Sequence, residues 1–163
     1  MQSNNINLSY VFSRKPNAAA LIKGNQEYKS ITGRVLFYQL RGTVLIKSEF
    51  YGLPQGVQKC SYPVFGFHIH DGTACTGTKD NPFEDADGHY NPGGCVHPYH
   101  AGDMPPIFGA DGRAISVFLS NRFNVSEVIG KAVILHAQPD DFTTQPSGNS
   151  GKMIACGIIK RNN

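Results

Sequence analysis

Tryptophan is missing from this 163-residue chain, whose aromatic residues are Phe and Tyr. No apolar run approaches the roughly 20 residues of a membrane-spanning helix, so no membrane span is expected. None of the four cysteines stands in C-x-x-C spacing, which argues against a cysteine-built zinc site. Charge is sparse and unclustered: Lys+Arg 15 against Asp+Glu 12 gives a net of +3. Without a basic block there is no case for nucleic acid, although a few positive charges would still steer a small anion. No phosphate-binding Gly loop and no Ser-His-Asp order stands out. The N-terminus, M-Q-S-N-N-I-N-L-S-Y-V-F-S-R-K, has no basic start followed by an apolar core. The expectation for the chain as given is therefore a cytoplasmic location, unless an upstream segment has been trimmed.

What is abundant is turn chemistry, with Gly 18 and Pro 10. The length suits a single domain, 1–163, with a real core and a polar, extended arm over 1–16. From Ala18 the pattern is β. Ala18–Lys23 is a short apolar run. Gly33–Leu40 and Gly42–Phe50 read as a hairpin through Arg41-Gly42. Val64–His70, Ile107-Phe108, Arg113–Leu119, Lys131–His136 and Lys152–Lys160 complete the strands, with one helical turn at Val125–Gly130 and a hairpin turn at Ala110–Gly112. Two long loops, 71–103 and 139–151, carry no periodic apolar pattern. Loops of that length in a compact domain are usually functional or disordered. The fold expected is all-β, an antiparallel sandwich or Greek-key β-barrel of about eight strands.

The histidines are concentrated. Five of the six, His68, His70, His89, His97 and His100, lie between Phe65 and Asp103, and the sixth is His136 in V-I-L-H-A-Q-P-D-D. His68 and His70 are two apart in a β-branched, aromatic run, so a strand points both rings the same way. Neutral imidazoles suit copper or zinc. His97, His100 and Asp103, with one more imidazole, would close a tetrahedral zinc site. A lone buried histidine is more often hydrogen-bonded to backbone, but six concentrated this way point to a metal centre.

The motifs G-F-H-I-H, G-H-Y-N-P, H-A-G-D, L-H-A-Q-P-D-D, G-N-S-G and A-C-G, in this order, resemble those of copper/zinc superoxide dismutase from about Ala18 to Lys160. The spacing of Cys75 from His70 and the sequence G-D-M-P-P are similar to the bacterial branch. The resemblance implies copper and zinc as cofactors and superoxide as substrate. It implies copper binding by His68, His70, His89 and His136, and zinc binding by His89, His97, His100 and Asp103. These make His68, His70, His89 and His136 the catalytic candidates, with His89 bridging the metals. It implies that Asp140 accepts hydrogen bonds from His68 and His97, leaving Asp141 as the turn carboxylate. It also implies a Cys75–Cys156 disulfide, whose long loop would contribute about 4–5 kcal/mol. Cys60 and Cys95 lie outside the family pattern and read equally as a second disulfide or as two thiols. Many family members dimerise, so a homodimer is among the assemblies implied.

One departure matters for function. The family carries an arginine three residues before the second cysteine, where this chain has Met153 in G-N-S-G-K-M-I-A-C-G. A thioether cannot attract an anion as a guanidinium does. Lys152 is the neighbouring cation, yet on a regular strand it would point away from the face of Met153, and only a bulge would bring it over copper. Met153 would otherwise pack as filler or sit beside copper as a soft neighbour. The leading expectation is a superoxide dismutase with weakened anion guidance. The alternatives are a superoxide-dismutase-like protein that binds copper and zinc with little turnover, and a structural, metal-stabilised component. The connection from His97 to His100 is also short for the family. D-A-D-G at Asp85–Gly88 lacks most calcium ligands and reads as a turn. The sequons at Asn7 and Asn124 mean little without a secretory signal.

Overall fold

The computed structural model describes residues 5–56, 61 and 63–162. Strand β1 (Ala18–Gly24) sends Ala18, Ala20 and Ile22 inward while Leu21 faces water, as period-two alternation requires. β2 (Thr32–Leu40) and β3 (Thr43–Tyr51) form the expected hairpin, with Phe37 opposite Ile46 inside and Leu36 opposite Lys47 outside. β4 (Val64–Phe65) and β5 (Phe67–His70) come next, then β6 (Ile107–Phe108) and β7 (Arg113–Ser120). β8 (Ala132–His136) and β9 (Met153–Arg161) complete the sheet.

One sheet runs β5-β8-β9-β1-β2-β3-β7, and β4 pairs with β6. Because β4 runs on into β5, and β6 returns to β7 through a turn closed between Ala110 and Arg113, the two sheets join into a closed ring. With β4 and β5 taken as one path, the ring has the expected eight antiparallel strands. Its two non-neighbour connections, β3 to β4 and β7 to β8, make it a Greek-key barrel. Phe37, Phe50 and Phe67 are fully buried inside, with Phe50 and Phe67 edge-on at 5.7 Å. Burying each contributes roughly 1.5–3 kcal/mol.

Three local expectations need correction. Residues 8–13 are not an extended arm but a helix, α1 (Leu8–Ser13). Asn7 accepts from the Tyr10 N–H at its start, and Val11 packs on Tyr38 and Leu45 outside the barrel. Local polarity misled because the apolar surface that orders the segment comes from β2 and β3. The expected strand Val64–His70 is broken at Gly66, whose N–H donates to Gln138 O and whose carbonyl accepts from the His136 N–H. A Cβ there would lie 2.8 Å from Ser150, so the close crossing of the 137–152 loop requires glycine. Finally, β9 is irregular where it begins. Leu135 pairs with Ala155 but His136 pairs with Met153, leaving Ile154 as an extra residue. The predicted one-turn helix is present as α2 (Val125–Val128).

Candidate metal centre

Strand pairing sets the first cluster. On β5, His68 lies opposite Ile134 and His70 opposite Ala132 of β8, and His136 ends β8 where the pairing shifts. His89 reaches them from the long loop through an isolated bridge to His70. One ring nitrogen of each of the four lies within 4.8 Å of the other three.

Hydrogen bonds show which nitrogen faces the centre. His70 Nδ1 donates to the Asp87 carbonyl at 2.5 Å, and His136 Nδ1 to the Gly151 carbonyl at 3.2 Å. His68 Nε2 donates to Asp140 Oδ2 at 2.7 Å, and His89 Nδ1 meets Asp103 Oδ1 at 2.7 Å. Carbonyls and carboxylates only accept, so in neutral rings the opposite nitrogens carry lone pairs. These are His68 Nδ1, His70 Nε2, His89 Nε2 and His136 Nε2. The Nε2 atoms of His70 and His136 face each other at 3.2 Å, while His68 Nδ1 and His89 Nε2 are buried with no hydrogen-bond partner. Burial, then the neighbouring imidazoles, holds the His70 pKa well below its usual value. Burial, then His68, pushes His136 down to about 3. Burial also lowers His68, outweighing the hydrogen bond to Asp140. Converging lone pairs, those of His68, His70 and His136 on rings that resist protonation, form a cation site, and an all-imidazole set suits copper.

The second cluster comprises His89, His97, His100 and Asp103. Asp103 Oδ2 lies 3.1 Å from His97 Nδ1 and 3.3 Å from His100 Nδ1, neither aligned as a hydrogen bond, so both nitrogens are buried without a partner. Burial opposes ionisation of Asp103, but the hydrogen bond from His89 and the three nearby imidazoles together lower its pKa. Three nitrogens and one carboxylate suit tetrahedral zinc.

Asp140 joins the clusters. Oδ2 accepts from His68, and Oδ1 accepts from His97 Nε2 at 2.9 Å and from the Phe142 N–H at 2.7 Å. Burial pushes its carboxyl up, yet these donors prevail and hold it well below the carboxylate range. Gly148, with φ +66°, lets the chain pass this carboxylate; a Cβ would sit 2.0 Å from Asp140 Oδ1. Asp141 caps the following turn, accepting from Thr143 and Thr144.

A cavity of about 840 Å³ opens onto His70, His89 and His136. Met153 and Lys152 both line it, as does Lys79. The alternation expected to send Lys152 away from Met153 does not apply, because Lys152 precedes β9 and the strand bulges at Ile154. Lys79 carried no sequence signal beyond being one lysine in a loop. Gln145 was equally unmarked, yet its side chain accepts from the His97 N–H at 3.0 Å and donates to the His97 carbonyl at 2.8 Å.

The expected disulfide is present between Cys75 and Cys156, tying the long loop to β9. Cys95 is exposed and bonded to no described cysteine. Its proposed partner Cys60 lies outside the described residues.

Comparison with known proteins points to one family. Residues 31–159 match the family described as copper/zinc superoxide dismutase. Copper–zinc superoxide dismutase 2 of Aquifex aeolicus is 34% identical over 145 residues, covering 80% of both chains. Copper–zinc superoxide dismutase 1 of the same organism is 36% identical over 152 residues, covering 83% of both. The superoxide dismutase-like protein YojM of Bacillus subtilis is 37% identical over 113 residues, covering 60% of this chain and 56% of its own.

Proposed function

The chain belongs to the copper/zinc superoxide dismutase family, and from that premise we propose how its residues convert superoxide to oxygen and hydrogen peroxide. The observation that carries the reading is the convergence of four unprotonated imidazole nitrogens beside an open cavity, one ring being shared with a second cluster. His68 Nδ1, His70 Nε2, His136 Nε2 and His89 Nε2 would hold copper. His97, His100 and Asp103 would hold zinc together with His89 Nδ1, once that nitrogen has lost the proton it shares with Asp103. Copper when bound supplies a one-electron couple that accepts an electron from one superoxide and returns it to another, whereas zinc has a full d shell and supplies charge and orientation.

The protein contributes orientation, a proton site and access. The carbonyls of Asp87 and Gly151 fix the tautomers of His70 and His136, so Nε2 is the free nitrogen of each. Asp140 fixes His68 and His97 together. A ligand nitrogen not engaged by metal is a base, and His89, whose buried Nε2 has no hydrogen-bond partner, is among the residues lining the cavity. That atom would hold one of the two protons that leave with peroxide.

Access is where this chain departs from its family. Met153 occupies the position of the family arginine at the cavity wall and brings no charge. Lys152, on the same wall, is the candidate replacement for guiding the anion. Weakened guidance therefore accompanies the proposal, and Met153 also favours a second reading, metal binding with little turnover. Self-association into a homodimer belongs to the proposal too, and sedimentation velocity of the metal-loaded protein reads it directly. The test of function is superoxide removal by protein loaded with copper and zinc. Activity should depend on copper and disappear in His136→Ala while zinc is retained. Full metal loading without superoxide removal would favour the second reading.

A further inference from the structure

The segment that would carry three of the four zinc ligands is tied by its main chain mainly at its far end, where the Ile69 N–H donates to the Gly102 carbonyl and the Gly102 N–H donates to the Tyr90 carbonyl. From His97 to Asp103 its ligands are packed into a short path, and its large side chains do not anchor it. Val96 is 62% exposed and Tyr99 is 66% exposed. Gln145 grips only the peptide of His97. The carbonyls of Pro98, His100 and Asp103, by contrast, converge on one atom, Nη1 of Arg122, at 3.0, 3.1 and 3.2 Å. Two N–H groups serve three acceptors there, so at least one bond is shared. Without a cation there, three carbonyl dipoles aimed at one point would repel, loosening a turn whose end stays bonded to Ile69 and Tyr90.

Arg122 comes from a fixed platform. It follows β7, its own N–H donates to Ser120 Oγ at 3.3 Å, and the next residue, Phe123, is buried against Phe37. Two residues on, the Val125 N–H donates to Gln39 Oε1 at 2.8 Å. An ordinary surface arginine spreads its donors into water. This one binds the backbone of two residues whose side chains complete the second cluster.

We infer that Arg122 is a positioning residue for zinc: from outside the site it gathers the backbone of the 97–103 turn so that His100 and Asp103 meet His89 and His97. The inference rests on the assignment of His100 and Asp103 as zinc ligands. The guanidinium touches no ligand atom, so it shapes the site without competing for metal.

The experiment compares wild type with Arg122→Ala, Arg122→Lys and His100→Ala. It measures zinc affinity by chelator competition, the visible spectrum of cobalt(II) in the zinc site, and melting with and without zinc. Arg122→Ala should weaken zinc about 10–100-fold, the usual cost of losing a group that orients ligands. Its cobalt bands should lose tetrahedral intensity, and Arg122→Lys should fall between. Its metal-free melting temperature should stay within about 2 °C of wild type, because the change is at the surface. The inference is overturned if zinc affinity in Arg122→Ala stays within about twofold of wild type while His100→Ala has lost zinc. It is equally overturned if metal-free and zinc-loaded proteins lose the same melting temperature, since the arginine would then support the fold alone. If His100→Ala keeps its zinc, the ligand assignment itself fails and this inference fails with it.

Discussion

The two halves of the metal centre are built by different means. On the side proposed for copper, three of four imidazoles stand on paired strands, β5 and β8, and their spacing is set by sheet register and by backbone carbonyls. On the side proposed for zinc every ligand stands on the loop after β5, which the main chain ties at Gly102 to Ile69 and Tyr90 and which side chains from elsewhere brace: Asp140, Gln145 and Arg122. Main-chain geometry tolerates side-chain replacement, whereas a braced loop depends on each brace. The copper half should therefore survive single changes that cost the zinc half its metal.

The strongest challenge to that contrast is Asp140→Ala, which removes the one brace common to both. It leaves two buried imidazole N–H groups without an acceptor, at about 1–3 kcal/mol each. Affinity should fall roughly 10–100-fold at both sites, as calorimetric titration would read. Loss at zinc alone would mean that sheet register suffices for copper. Reducing Cys75–Cys156 sharpens the contrast from the other direction. The loop it anchors carries the Asp87 carbonyl that orients His70. Reduction should remove about 4–5 kcal/mol and lower melting by about 10 °C or more, with copper released before zinc.

Acid probes the copper half of the metal-free protein. His68, His70 and His136 all have folded pKa values below the unfolded value of 6.5, with His136 at about 3. The unfolded chain thus binds protons that the folded one refuses. Stability is complete above about pH 6.5 and falls as pH drops, the decline from His136 continuing towards about 3 at about 1.4 kcal/mol per pH unit. The lowered carboxyl of Asp140 acts in the same direction. Urea midpoints between pH 7 and 4.5 would show the decline, and a flat profile would contradict the neutral imidazoles. The smallest effect expected is from Met153→Arg. It should raise the superoxide rate a few-fold at low salt and steepen its decline with ionic strength, leaving zinc affinity unchanged. A wild type that already depends steeply on salt would show that Lys152 and Lys79 guide the anion.

The barrel was largely legible, because inward and outward residues alternate from Ala18 onward and turns such as Arg41-Gly42 punctuate them. The pair His68 and His70 was legible for the same reason. The joint role of His89 and the double acceptance by Asp140 came from family resemblance rather than from spacing. The rest depends on partners far away in the chain. α1 forms on a surface made by β2 and β3, the break at Gly66 reflects a crossing loop, and the bulge at Ile154 appears only in pairing with β8. The carbonyls of Asp87 and Gly151, which select tautomers, belong to no residue type at all. Arg122 looked like any other basic residue until the fold carried it to the 97–103 turn.

The carboxylate of Asp140, taking one imidazole from each cluster, would couple the filling of the two proposed sites. Whichever ion entered first would fix one ring against Asp140 and so restrict the carboxylate that the ring opposite also uses. Loading should then depart from two independent isotherms, and half-filled molecules should be scarcer than chance allows. A cell supplying both ions in limited amounts would hold mainly finished and empty copies of this protein.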